Sequence, residues 1–337
     1  MQIIKTTLLS LSLSLLVTPL MTTASSAENV SREEIAQAAS GKEFHQGFDL
    51  QGHRGARGLA PENTLAGFAL ALELGVTTLE LDTGVTRDGV VVIHHDPYLN
   101  PAIARDAKGT WVADKSLLIK EMDYAELSHF NVGKLKPGSK YAERFPNQRP
   151  EAFQAIPQLA DLFEMVKKTG QNDVRFNIET KINPTKASAT VTPEGFVTAL
   201  LTVIEKNGMS DRVSIQSFDW RTLQLVQKQA PGIPTVYLSA QQKWLNNIAL
   251  GQEGTSGWTA GFDVDDHQGS IPKLIKAAGG TVWSPFYREL TPVLLAEAHK
   301  EGLEVIPWTV NDPQDFARLI GMGVDGIITD YPHLRLK

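Results

Sequence analysis

In the stretch QGHRGARGLAPENT, His53 and Arg54 follow the apolar run Phe48–Gly52 and precede a glycine-rich turn. Glu80 and Asp82 stand two apart in TLELDTGV, and Glu179 and Lys181 stand two apart in FNIETKI. Residues i and i+2 of an extended strand share a face, so each pair projects its charge to one side. Carboxylates gathered on one site repel unless they are protonated or neutralised. A divalent cation meets that need, because Glu80, Asp82 and Glu179 offer the hard oxygen ligands suited to Ca2+ or Mg2+. The alternative is a salt-bridge network in which Arg54 and Lys181 neutralise the acids.

His95 closes the run in VVIHHDPYL as His53 closes the first. A histidine titrating near ~6.5 serves as base in one form and acid in the other. A pair flanking a metal suits displacement at phosphorus, where one proton leaves the nucleophile and another reaches the leaving oxygen. Strand alternation points His94 away from His95, so at most one of the two faces the site. Arg54 can pair bidentately with phosphate oxygens, and Lys181 adds a point charge. Glu62 is placed to anchor Arg54; Asn63 or Thr64 caps the helix that follows, and capping is the expected role of Asn63. The glycines of this turn are expected to let the backbone pass close to substrate. Gln216 in SIQSFDW and Trp308 in IPWTVN end other runs and read as pocket residues or as packing; Tyr237 and Ser284 read more as packing. Asp263–Asp266 beside His267 superficially resembles a metal site but reads as a solvated or capping loop.

Such residues need strands to carry them. Apolar runs recur at 48–52, 77–85, 90–94, 174–180, 213–216, 235–238, 281–284, 304–308 and 326–329. Helix-patterned segments separate most of them, at 65–74, 159–169, 193–207, 220–229, 271–278, 292–301 and 313–322. Gly75, Gly170, Gly208, Gly279, Gly302 and Gly323 each follow a helical pattern, as left-handed C-terminal caps do. If 90–94 is the return arm of a hairpin turned at Arg87-Asp88-Gly89, eight parallel strands remain. The expected fold is α/β, a (β/α)8 TIM barrel, with polar strand ends converging on its C-terminal face. Residues 97–156 read as an insertion after the hairpin and 241–269 as a second long connection, each a lid or specificity element.

The chain of 337 residues begins with Lys5, an apolar stretch from Thr6 to Leu20, and small residues to Ala27, the pattern of a signal peptide over 1–27. The stretch is shorter than the ~20 residues of a membrane span. The expected mature chain, 28–337, is one barrel domain in the periplasm with no stable membrane insertion. It has no cysteine, hence no disulfide and no lipid-bearing cysteine. A net charge of −6 without a basic block gives nucleic acid no footing, and nothing sets an oligomeric state.

The stretches HRGARGLAPENT, LELDTGVTRDGVVVIHHDPYL, NIETK, SIQSFD, PWTVN and DGIITDYP, in this order, resemble the glycerophosphodiester phosphodiesterases, particularly the exported bacterial ones. The resemblance implies a (β/α)8 barrel with an insertion after the second strand and a divalent metal, commonly Ca2+ or Mg2+. It places metal ligation on Glu80, Asp82 and Glu179, acid and base catalysis on His53 and His95, and phosphate contact on Arg54 and Lys181. The implied reaction is hydrolysis of a small-molecule glycerophosphodiester, such as glycerophosphocholine or glycerophosphoethanolamine, to sn-glycerol 3-phosphate and an alcohol. Arg87 stands where the family has lysine, and His94 where it has an apolar residue. Rival readings are a phospholipase acting on intact lipids, which needs an apolar rim, and a binding protein, which would have lost one of these seven polar residues.

Overall fold

The structure is a computed structural model that describes residues 47–336, so the expected signal peptide lies outside the described residues. Its frame is built from β1 (Asp49–Gly52), β2 (Thr78–Val85), β4 (Arg175–Thr180), β5 (Val213–Ser217), β6 (Thr235–Ser239), β9 (Val282–Pro285), β10 (Glu304–Val305) and β11 (Gly326–Thr329). Neighbouring ladders among them are parallel, in the order β10-β9-β6-β5-β4-β2-β1-β11. The remaining seam is bridged by Asp325 N–H to Val305 O at 3.1 Å and Ile328 N–H to Pro307 O at 3.0 Å. The sheet thus comes round to a nearly closed eight-stranded barrel, as the alternation of runs and helices requires. β3 (Val91–Ile93) pairs antiparallel with β2, from Thr83↔Ile93 to Val85↔Val91, and is the return arm of the expected hairpin.

The outer ring consists of α1 (Leu65–Glu73), α4 (Leu159–Thr169), α5 (Pro193–Lys206), α6 (Trp220–Gln229), α7 (Ile271–Ala277), α8 (Pro292–Lys300) and α9 (Pro313–Met322). Proline at the first helical position follows the caps Thr192, Thr291 and Asp312, where its missing N–H costs nothing. The glycines expected after the helices all have positive φ, from 65° at Gly208 to 89° at Gly323. Phe68, Phe163, Phe176, Phe196 and Trp220 are fully buried between helices and strands.

The insertion is more than an open loop. It holds two single-turn helices, α2 (Tyr124–Leu127) and α3 (Lys140–Glu143), over a small core of Leu99, Ile103, Val112, Ile119, Leu127, Val132 and Ile156 against Val92. Arg105 and Asn131 exchange backbone hydrogen bonds of 3.0 and 2.8 Å across it. The second connection carries a hairpin of β7 (Gln241–Gln242) and β8 (Leu245–Asn246), fastened by Glu289 Oε1, which accepts from Gln241 N–H and Gln242 Nε2.

Candidate active site

The seven polar residues converge at the C-terminal ends of adjacent strands. Register places Asp82 beside Glu179 and Glu80 beside Asn177 across β2 and β4. One oxygen from each of Glu80, Asp82 and Glu179 lies within 4.8 Å of the others, and all three residues are buried. Arg54 and Lys181 do reach these acids, as the salt-bridge reading expects. Lys181 Nζ is 2.8 Å from Glu179 Oε1 and 3.8 Å from Asp82 Oδ1, and Arg54 Nε is 3.0 Å from Asp82 Oδ2. Yet Arg54 also serves Glu62, its Nη1 donating to Glu62 Oε1 at 2.8 Å, so the three acids of the triad share Lys181 with an Arg54 that is divided between them and Glu62.

The shortage of positive charge shows in the titration of the acids. Burial, then the charges of Asp82 and Glu179, push Glu80 well above the ordinary carboxylate range. Burial, opposed by Lys181 and aided by Asp82, pushes Glu179 up to about 7. Burial also opposes ionisation of Asp82, but Arg54, His95 and Lys181 outweigh it and hold that group well below its usual value. Asp82 Oδ1 is buried with no hydrogen-bond partner. An orphaned oxygen within a cluster of hard ligands fits a divalent cation, and carboxylates alone suit Ca2+ or Mg2+ over softer metals.

Glu80 is held by neutral donors: Arg54 N–H at 2.8 Å and Gln216 Nε2 at 2.6 Å. Gln216 in turn accepts from Asn177 Nδ2, which also donates to Gln51. Gln216 therefore supports Glu80 from within the barrel. Trp308 lies at the barrel mouth in an aromatic group with Phe218, Phe286 and Trp244, the last of them 60% exposed. Lys181 Nζ stands 5.9 Å from the Phe218 ring, joining this wall to the charged cluster. Tyr237 and Ser284 are core residues, their hydroxyls donating to the carbonyls of Ala278 and Ile306. Asp265–His267 forms a single turn without buried residues, and Asp263 Oδ1 accepts from Asp265 N–H.

Each histidine has a carboxylate partner. His53 Nδ1 is 2.7 Å from Asp330 Oδ1 and its Nε2 is 3.9 Å from Glu80 Oε2. Asp330 ionises far below the usual range because Arg57 and His53 together outweigh the cost of burying it. An ionised carboxylate only accepts, so Nδ1 carries the hydrogen and Nε2 keeps its lone pair. Burial and then Arg57 lower His53 to about 4, against the pull of Asp330, so it is neutral at pH 7. His95 Nδ1 is 3.2 Å from Asp96 Oδ1, and burial, Arg54 and Lys181 lower its pKa. His94 is buried with Nε2 on the Tyr98 carbonyl, and of the adjacent pair it is His95 that lies by Asp82.

Two expectations about the first loop are corrected. Thr64, not Asn63, caps α1 by accepting from Gly67 N–H; Asn63 sits at φ 53°, a conformation asparagine tolerates, and aims Nδ2 at Asp82 Oδ2 at 2.9 Å. The glycines of the turn approach protein. Gly55, at φ 87°, packs where a Cβ would lie 2.7 Å from the Gly67 carbonyl carbon, and a Cβ on Gly58 would strike the Tyr331 ring.

Asp330, Arg57, Asp96 and Tyr141 escaped the reading of the sequence. Asp330 had a signal: it directly follows β11, which flanks β1, as His53 follows β1, so the strand-end rule that selected His53 reaches it too. Arg57 lies in the same motif as Arg54 and clasps Asp330 through Nε and Nη2 at 2.7 and 2.9 Å.

Known proteins place this architecture. A sequence model described as the glycerophosphoryl diester phosphodiesterase family matches residues 53–334. A curated glycerophosphodiester phosphodiesterase of Caldanaerobacter subterraneus subsp. tengcongensis is 31% identical over 283 residues, 83% of this chain and 93% of its own. A solved Silicibacter pomeroyi chain named for the same family is 36% identical, covers 88% of this chain and 94% of itself, and has a TM-score of 0.75. An Oleispira antarctica phosphodiesterase, solved with the product sn-glycerol 3-phosphate, shares the fold at 22% identity and a TM-score of 0.61, over 85% of this chain and 94% of its own. On the match to the family model and the identity to these relatives, the chain belongs to the glycerophosphoryl diester phosphodiesterase family.

Proposed function

We propose that the chain hydrolyses glycerophosphodiesters, such as glycerophosphocholine and glycerophosphoethanolamine, to sn-glycerol 3-phosphate and the freed alcohol. The observation that carries this reading is two carboxylate-backed histidines flanking a buried acidic triad, with Arg54 and Lys181 beside it. Family membership supports it, as does the sn-glycerol 3-phosphate held by the Oleispira antarctica neighbour. Glu80, Asp82 and Glu179 would hold a Ca2+ or Mg2+ ion, which when bound neutralises the triad and stabilises charge on phosphate oxygens.

The chain's own groups then have distinct work. Arg54, anchored on Glu62 through Nη1, and Lys181 would bind the non-bridging phosphate oxygens. Neutral His53 would accept the nucleophile's proton at Nε2, and Asp330 would stabilise the imidazolium that forms. His95 would deliver a proton to the departing alcohol oxygen; the charge of a bound phosphodiester raises its pKa toward the protonated form. Residues 1–27 would direct this activity to the periplasm, where the mature chain works on a small-molecule substrate; among the described residues no helix is long and apolar enough to cross a membrane.

Comparing turnover of glycerophosphocholine with that of its diacyl parent tests the substrate class. Faster cleavage of the phosphodiester in the deacylated compound is expected, read for both substrates as choline plus phosphocholine released. Preference for the intact lipid contradicts the reading and favours a phospholipase.

A further inference from the structure

The insertion touches the catalytic loop through a short, directed chain of hydrogen bonds. Tyr141, on α3, donates its hydroxyl to Glu62 Oε2, and Glu62 Oε1 accepts from Arg54 Nη1 at 2.8 Å. Arg57 Nη1 approaches the same hydroxyl at 3.4 Å. A guanidinium only donates and a carboxylate only accepts, so the phenol's single proton is committed to Glu62. The surrounding segment is fastened to the same loop: Gln148 Nε2 donates to Arg57 O at 2.7 Å, and Arg149 N–H donates to Leu59 O at 2.9 Å. Arg57 also lies 4.6 Å from the centre of the Phe145 ring.

We propose that Tyr141 is a positioning residue of the phosphate clamp: through Glu62 it fixes the Arg54 guanidinium, making the insertion a working part of the site. The inference rests on the reading of Arg54 as a phosphate ligand. Both Glu62 oxygens are spoken for, one by the insertion and one by the clamp, and the carboxylate is buried. Removing the phenol hydroxyl leaves Oε2 unsatisfied and free to turn toward the cation of Arg57. Arg54 then loses its fixed anchor and is drawn toward Asp82, 3.0 Å from its Nε.

Tyr141→Phe removes the hydroxyl and keeps the ring, whose edge contact with Phe145 spans 5.4 Å between centroids. Calorimetric titration of the full chain with inorganic phosphate reads the clamp without turnover. The expected result is about tenfold weaker phosphate binding, the worth of one hydrogen bond to a charged group, with a melting midpoint within about 4 °C of wild type. Glu62→Gln should weaken binding comparably, and the double variant should be no weaker than Glu62→Gln alone, because both act through one link. Val226→Ala, a cavity on the buried face of α6 in the outer ring, should keep wild-type affinity while lowering the melting midpoint. Wild-type phosphate affinity in Tyr141→Phe, losses that multiply in the double variant, or an equal loss in Val226→Ala would each overturn the proposal. A wild type that binds phosphate but leaves glycerophosphocholine intact counts against the proposed reaction, not against this link.

Discussion

In the proposed mechanism, pairing His53 and His95 each with a carboxylate would divide the work between the atom that moves a proton and the group that sets its tautomer. Asp330 is 277 residues from His53 in sequence and 2.7 Å from it in space. Asp330→Asn can offer its amide hydrogen to Nδ1, which then keeps the lone pair and puts the proton on Nε2, the wrong tautomer for a base. We expect turnover to fall about a hundredfold or more, the low end of what general acid–base catalysis contributes. Steady-state kcat on glycerophosphocholine checks this, and near-wild-type turnover contradicts it. The same pair governs acid stability. Unfolded His53 takes its proton near ~6.5, whereas the folded residue does so at about 4. Between those values the unfolded chain binds more protons, so stability falls as pH drops through that window. Asp330 continues the trend below it, since its depressed folded pKa gives stability that is present above the unfolded value and is lost as pH falls toward the folded one. Urea midpoints of metal-free protein from pH 7 to 4.5 should decline more steeply for wild type than for His53→Gln; parallel profiles contradict the assignment.

The strands and ring helices were legible from period and punctuation because each is a local pattern. Residues 159–169, 220–229 and 313–322 became helices with those bounds. The run 304–308 shortened to Glu304–Val305, since Pro307 has no N–H for a ladder. The insertion resisted because its order comes from non-local pairs such as Arg105 with Asn131 and from a core of scattered residues, which leave no period. Charges separated by two on one strand were legible, as were His53 and Arg54 at a strand end. Partners on other strands, such as Asp330, and Tyr141 on the insertion were not, because register and closure decide them. The barrel interior shows this best. Gln51 on β1, Asn177 on β4 and Gln216 on β5 form a buried hydrogen-bonded row that ends on Glu80 of β2. No single strand announces that row, yet it sets where one Glu80 oxygen points. Gln216→Leu removes the 2.6 Å donor and leaves Asn177 short of an acceptor. Ca2+ affinity should drop about tenfold or more, as when the support of a metal ligand is removed. Calorimetric titration reads this directly, and unchanged affinity would show that Glu80 needs no such brace.

Over the whole molecule, closure of the sheet supplies what local sequence cannot: it sets β11 beside β1 and brings residues from opposite ends of the chain to one rim. The chain is acidic overall, at −6, so under the proposed function attraction of an anionic phosphodiester would depend on Arg54 and Lys181 and on a cation among the triad. The proposed function is hydrolysis by a metal-assisted histidine site. Release of sn-glycerol 3-phosphate from glycerophosphocholine, measured for wild type and His53→Ala with and without a chelator, tests it most directly. Release by untreated wild type is expected, with loss on chelation, recovery when Ca2+ or Mg2+ is returned, and little release from His53→Ala in any condition. Release that survives both the chelator and the substitution would contradict it.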